Sequence, residues 1–208
     1  MTHAVAEDRA QDGQALPIRQ GVFVAVAGPS GSGKDSLMDY ARRRLGPLAG
    51  GVVFARRIIT RPAEAGGEMH DTLDEAAFER ARAQGRFALS WQANGLSYAL
   101  PASIDEAMRE GSVVVANVSR AVIPRLGARY ANVLPVVVTA PPEILAERLS
   151  RRGRETRQEV MARLARAGAF AVEGAHVIDN SGPLENAGER FLALLRRAAA
   201  WSDVCDMV

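Results

Sequence analysis

The chain has a single lysine, Lys34; every other strongly basic residue is arginine. Lys34 closes the run Gly28-Pro29-Ser30-Gly31-Ser32-Gly33-Lys34, which reads as glycine, four residues, glycine, lysine. Small residues at that spacing let the backbone curl so that successive N–H groups point inward at an anion. A helix starting at the lysine adds its positive end, and the ammonium supplies a mobile point charge. Valine-rich residues precede the run and a helically spaced stretch follows it, the context such a loop needs to cradle the phosphates of a nucleotide. Asp35 follows Lys34 where a serine or threonine hydroxyl is usual, and Ser36 comes next. Asp35 could hold Mg²⁺ directly or through water, with Ser36 as a second oxygen, or it could cap the helix.

Other residues could bind anionic groups. Arginines at 57, 61, 120, 148, 152, 154, 157 and 163 could fork onto phosphates. Arg61, Arg152 and Arg163 are the first candidates and Arg120 and Arg157 the next, against the plain reading of a solvated or ion-paired surface arginine. His70 stands near Glu68 in an irregular stretch, where it could meet a hydroxyl or a phosphate or simply order the loop. Tyr98 could donate to a phosphate or fill a hairpin face, and Trp91 reads as packing. Asn117, Ser119 and Arg120 cluster at a strand end, where α/β sheets bind ligands.

The elements that must position these groups follow from periodicity and punctuation. Residues 21–27, 52–55, 113–117, 133–139 and 177–179 read as strands, and helices fall between them. Residues 35–45, 75–83, 103–109, 119–126, 142–151, 156–167 and 184–197 read as helices, with Asp74 as a cap and Gly85 as a stop. Pro124 sits awkwardly in its helix, and Pro135 fits its strand only near the start or at an irregularity. Residues 56–71 have no periodicity and read as a small irregular lobe. Residues 87–91 and 96–100 form a hairpin. Strands alternating with helices predict a parallel five-stranded core sheet with helices on both faces, a three-layer α/β sandwich. Residues 1–20 read as a flexible leader, 21–197 as the domain and 198–208 as a tail.

Composition narrows the field. The 208 residues are 48% hydrophobic and 24% charged, which suits one globular domain. Cys205 is the only cysteine, so a disulfide framework is excluded and a cytoplasmic setting expected. No apolar run is long enough to span a membrane, and the first residues do not form a secretory signal. A net charge of +2 gives little support to nucleic-acid binding. His3, His70 and His176 are too scattered for a zinc site. The expected partner is a small anionic molecule, with neither nucleic acid nor membrane, and the chain a monomer or homodimer.

The phosphate loop, Thr60-Arg61-Pro62, Gly66-Gly67-Glu68, His70, Gly85-Arg86-Phe87, Leu96-Ser97-Tyr98, Arg148-Leu149, Arg152-Gly153-Arg154 and Asn180 resemble the guanylate kinase family in order and spacing over residues 21–197. The resemblance implies a P-loop nucleoside monophosphate kinase-like fold, with an acceptor-binding lobe at about 56–100 and a lid at about 151–157. It implies ATP and Mg²⁺ as cofactors. The positions that read guanine depart from that family: Leu89 replaces a glutamate, Ala99 and Leu100 follow the hairpin tyrosine, and Glu64 stands for a second phosphate-binding arginine. A buried base edge needs polar partners that leucine lacks. Lys34-Asp35, Arg61-Pro62, Glu68-Met69-His70, Trp91 and Asn117-Val118-Ser119-Arg120 instead resemble the guanylate-kinase-like ribose 1,5-bisphosphate phosphokinase family of phosphonate degradation. That resemblance implies Lys34, Arg152 and Arg163 as catalytic groups. It implies Arg61, Glu68, His70, Tyr98, Asn117, Ser119, Arg120 and Arg157 toward a phosphosugar. The alternatives are a guanylate kinase, a non-catalytic guanylate-kinase-like interaction module, and a sugar kinase needing a carboxylate base, for which Asp71 is the nearby candidate.

Overall fold

Strand β1 (Val22–Ala27) has every residue buried, and its side chains alternate between two cores. Val22, Val24 and Val26 join Leu37, Ala41, Phe191, Leu192 and Leu195 on one side. Phe23, Ala25 and Ala27 join Ile104, Met108, Leu126 and Tyr130 on the other. A wholly apolar strand is what a sheet covered on both faces requires. The computed structural model describes residues 16–60, 70–93, 95–151 and 171–205.

Around β1 lie β2 (Val52–Phe54), β7 (Val113–Asn117), β8 (Val133–Thr139) and β9 (His176–Asp179), all parallel, in the order β2-β7-β1-β8-β9. Helices α1 (Lys34–Arg44) and α6 (Leu184–Cys205) cover one face. The other carries α3 (Ser103–Arg109) and α4 (Ile123–Arg129). Helix α5 (Pro142–Ser150) follows β8. A second sheet, ordered β4-β3-β6-β5, is built from β3 (Ile58–Ile59), β4 (Asp71–Thr72), β5 (Phe87–Ala93) and β6 (Leu96–Pro101). Helix α2 (Glu75–Ala83) packs on it, capped by Asp74, whose Oδ1 accepts from the Ala77 N–H at 2.6 Å.

The parallel sheet, its flanking helices and the hairpin lobe match the expected sandwich. Three details differ. The stretch read as irregular contains β3 and β4, each two residues long, too short to show a period. The helix read over 119–126 is a 3₁₀ turn (Arg120–Val122) followed by α4, which puts Pro124 in a first turn, where its missing N–H costs nothing. The closing helix runs to Cys205 instead of Arg197. Pro135 pairs with Ala25, one residue before pairing with β9 begins at Val136. In the segment read as leader, Ile18 is bridged to Tyr130. The helix expected over 156–167 lies outside the described residues. Among those described, no helix is long and apolar enough to cross a membrane.

At the start of the central strands, a polar cluster of buried Asp105 and Tyr130 with the partly exposed Arg129 joins α3 to α4. Asp105 Oδ1 accepts from the Tyr130 hydroxyl at 2.7 Å and from Arg129 Nε at 3.0 Å, while a second Arg129 nitrogen donates to Oδ2. Burial alone would push the Asp105 carboxyl up, but the hydrogen bonds from Arg129 and Tyr130 and the Arg129 charge hold it below its ordinary value. Tyr130 stacks on Phe23 with centroids 5.0 Å apart, and burial, then its bond to Asp105, push its hydroxyl up. On the other face α1 and α6 touch where Gly188 meets Tyr40; a Cβ at 188 would lie 2.4 Å from Tyr40 Cδ1.

Candidate active site

The glycine-rich loop joins the end of β1 to α1, at the carboxyl edge of the sheet. Its glycines are required by contact as well as by curvature. A Cβ at Gly28 would sit 2.1 Å from the Val138 carbonyl oxygen, and one at Gly33 would sit 2.4 Å from Asn180 Nδ2. Gly33 also has φ 86°, a left-handed conformation that disfavours a side chain. Among the described residues no side chain caps the start of α1, whose positive end lies at the loop. Lys34 Nζ donates to the carbonyl oxygens of Gly28 at 2.9 Å and Pro29 at 3.0 Å, which holds the ammonium over the loop.

Neighbouring strands supply the loop's other supports. Asn117, the last residue of β7, is in register with Val26 and buried. Its Nδ2 donates to Asp35 Oδ1 at 3.1 Å. Asn180, just past β9, donates from Nδ2 to the Ser32 carbonyl at 2.8 Å, and its own carbonyl accepts from Arg148 Nη2 at 2.8 Å. Two polar atoms at the loop are buried without a hydrogen-bond partner among the described residues: Ser32 Oγ and Arg148 Nη1. The latter lies 4.0 Å from the Cβ position of Gly33. A guanidinium N–H left in this way beside a phosphate loop is a donor suited to an anion.

Arg148, in sequence one of eight arginines that could fork onto phosphates, and Asn180, which carries the family resemblance with no role attached, both stand at the loop. Their signal was weak. Asn180 meets Ser32 across 148 positions, and Arg148 is one arginine among many. Ser36 is exposed beside Asp35, and Ser119 and Arg120 follow Asn117 at the edge of the sheet, Arg120 exposed. Arg61, Glu68, Arg152, Arg157 and Arg163 lie outside the described residues, as does all of the expected lid after Arg151.

In the second sheet, Tyr98 stacks on Trp91 at 5.5 Å, and the Arg57 guanidinium lies 5.3 Å from its ring centroid. Trp91 is buried, as expected of a packing residue. His70 is half-buried directly before β4. Leu89 pairs in register with Leu100, and both are buried in the second core. At these two positions the lobe offers hydrocarbon and no hydrogen-bonding group to a base edge. Asp71 is exposed and ion-paired to Arg56 at 3.0 Å.

The donor set suits Mg²⁺ held jointly with a nucleotide. Among the described residues no group of three or more His, Cys, Asp or Glu is placed to hold a metal ion. Mg²⁺ is commonly held by one or two carboxylates together with phosphates and water, and Asp35 beside Lys34 offers one.

A phosphate loop on the central strand of a parallel sheet, with a separate lobe beside it, defines a P-loop phosphotransferase. A family profile described as AAA domain matches residues 24–166. The guanylate kinase of Anaplasma phagocytophilum superposes with a TM-score of 0.58 at 18% identity, over 86% of each chain, a likeness of fold. The ribose 1,5-bisphosphate phosphokinase PhnN of Chelativorans sp. (strain BNC1) is 72% identical over 97% of both chains. That of Brucella melitensis biotype 2 (strain ATCC 23457) is 49% identical over 86% of this chain and 94% of its own. The chain belongs to the ribose 1,5-bisphosphate phosphokinase family.

Proposed function

We propose that the chain transfers the γ-phosphoryl group of ATP to α-D-ribose 1,5-bisphosphate, yielding ADP and 5-phospho-α-D-ribose 1-diphosphate, within phosphonate breakdown. An oxygen of the C1 phosphate forms the new bond to phosphorus, and the bond from the γ-phosphorus to the bridging oxygen breaks. The acceptor oxygen is already ionised near neutral pH, so no general base is needed. What is needed is alignment and positive charge between two polyanions. Lys34 supplies charge at the transferring group. The start of α1 and Arg148 Nη1 would bind the phosphates of ATP, the first with backbone N–H groups and the second with a buried donor. Mg²⁺, when bound with ATP, neutralises phosphate charge, with Asp35 as its protein carboxylate.

Arg61, His70 and Tyr98 receive the sugar phosphates, with Glu68, Ser119 and Arg120 toward the ribose. Arg152 and Arg163 are assigned to the transferring phosphoryl group and Arg157 to the substrate. The observation that carries the reading over guanylate kinase is the buried Leu89–Leu100 pair where a guanine would need polar partners. Asp71, committed to Arg56, is poorly placed as a base for a hydroxyl acceptor.

The test is ADP release with saturating ATP and Mg²⁺ across GMP, ribose 5-phosphate and ribose 1,5-bisphosphate. The expected order puts ribose 1,5-bisphosphate first, with kcat/KM for GMP lower by about 100-fold or more, since each unmet buried hydrogen bond costs ~1–3 kcal/mol. Comparable turnover of GMP would make the chain a divergent guanylate kinase.

A further inference from the structure

In P-loop phosphotransferases the residue after the loop lysine gives the metal a hydroxyl, and the metal's carboxylate comes from the end of a nearby strand. Here both positions carry a different group. The loop position holds the carboxylate of Asp35. The end of β7, the strand paired directly with β1, holds the amide of Asn117. The two side chains touch, Asn117 Nδ2 donating to Asp35 Oδ1 at 3.1 Å across 82 residues of sequence. Asn117 is buried, with 5% of its surface exposed.

We infer that the metal-facing carboxylate has been transposed from strand to loop: Asp35 is the ligand, and Asn117 is the positioning residue that orients it. This rests on the Mg²⁺·ATP reading above, and it replaces the expected role of Asn117 as a sugar contact.

Charge explains why the exchange must involve both residues. A hydroxyl with a carboxylate carries one negative charge, and so does a carboxylate with an amide. Asp35 alone, pointed at triphosphate without a cation, would repel it. Fixed by a donor on one oxygen, its other oxygen remains for the cation, and the buried amide finds the acceptor it needs. A carboxylate at 117 with Asp35 retained would bring two like charges within hydrogen-bonding distance.

The arrangement predicts a charge-swap experiment read by binding instead of turnover. ATP affinity of the full chain is measured by calorimetry in Mg²⁺ and in EDTA, and the ratio gives the metal's enhancement. Asp35→Ser should reduce that enhancement by about tenfold or more, a loss typical of removing a charge-assisted ligand or its support, with affinity in EDTA held or improved. Asp35→Asn, closer in shape, should do the same and guards against misfolding. The double variant Asp35→Ser/Asn117→Asp should recover the enhancement to within about threefold of the parent, because it rebuilds the common arrangement. Asn117→Ala should raise the Mg²⁺ concentration for half-maximal enhancement by about tenfold and leave KM for ribose 1,5-bisphosphate unchanged.

Full enhancement in Asp35→Ser and Asp35→Asn, or a double variant no better than Asp35→Ser, overturns the inference. So does an Asn117→Ala variant that changes only the acceptor KM. The unmodified chain is assayed in parallel for transfer to ribose 1,5-bisphosphate. Transfer with those outcomes sinks the transposition alone, whereas no transfer by the unmodified chain sinks the functional reading.

Discussion

The two ends of the central sheet each carry a polar cluster, and they are finished differently. At the start of the strands, both oxygens of Asp105 are engaged, by Tyr130 and Arg129. At the carboxyl edge, Asn180 and Asn117 are bonded, yet Ser32 Oγ and Arg148 Nη1 are buried with no partner among the described residues. An unmet buried donor costs about 1–3 kcal/mol unless something else satisfies it. A cluster that only holds the fold together has no reason to leave one, whereas a cluster that receives an anion does. The saturated end therefore reads as structure and the unsaturated end as function.

Substitutions at the two ends should separate stability from turnover. Lys34→Ala should lower kcat by at least about 100-fold, because it removes charge aligned with the transferring group. Its melting temperature should stay close to that of the parent, and loss of folding instead of rate would erase the contrast. Arg148→Ala should raise the KM for ATP by about tenfold, the worth of a charge-assisted bond, with a smaller change in KM for the sugar. An unchanged ATP KM would mean that Arg148 serves only to hold Asn180.

Asp105→Ala should do the reverse. It strands the buried Tyr130 hydroxyl and the partly exposed Arg129, a loss of about 2 kcal/mol after allowing for water at the guanidinium. That corresponds to a fall of roughly 4–8 °C in Tm for a chain of this length, with kcat near that of the parent at a temperature where both are folded. The smallest effect is the pH dependence. The Asp105 carboxyl is held below its ordinary value, so its contribution is complete above the unfolded value. It is lost as pH falls through the native one. The difference in unfolding free energy between parent and Asp105→Asn should hold constant above about pH 5 and narrow as pH falls through the ordinary carboxylate range and below it. A difference that stayed constant would show that the carboxylate charge contributes nothing.

How far the sequence led depended on distance along the chain. Helix α2 was legible from Asp74, which caps it three residues from Ala77, and from Gly85, whose φ of 68° ends it. The central strands were legible because burial on both faces leaves an unbroken valine pattern, and the loop because each of its residues answers a local demand. The cross-connections were not legible. Asp105 looks like an ordinary acidic residue in a helix's first turn, and only the docking of α4 buries it against Arg129 and Tyr130. Asp35 stands out in sequence because it replaces the usual hydroxyl, whereas Asn117 reads there as a sugar contact. Nothing near position 117 in sequence shows that its amide meets residue 35.

The clamp on Ser32 has a consequence for the chain as it is being made. The loop is complete in sequence by residue 34, but the amide that fastens it arrives only at Asn180, and α6 packs against α1 later still. A nascent chain of 170 residues could form β1, β7 and β8 and still lack the clamp, because a contact of such separation waits for most of the polypeptide. ATP added during synthesis should therefore stabilise chains that have docked β9 more than shorter fragments that lack the Asn180 contact.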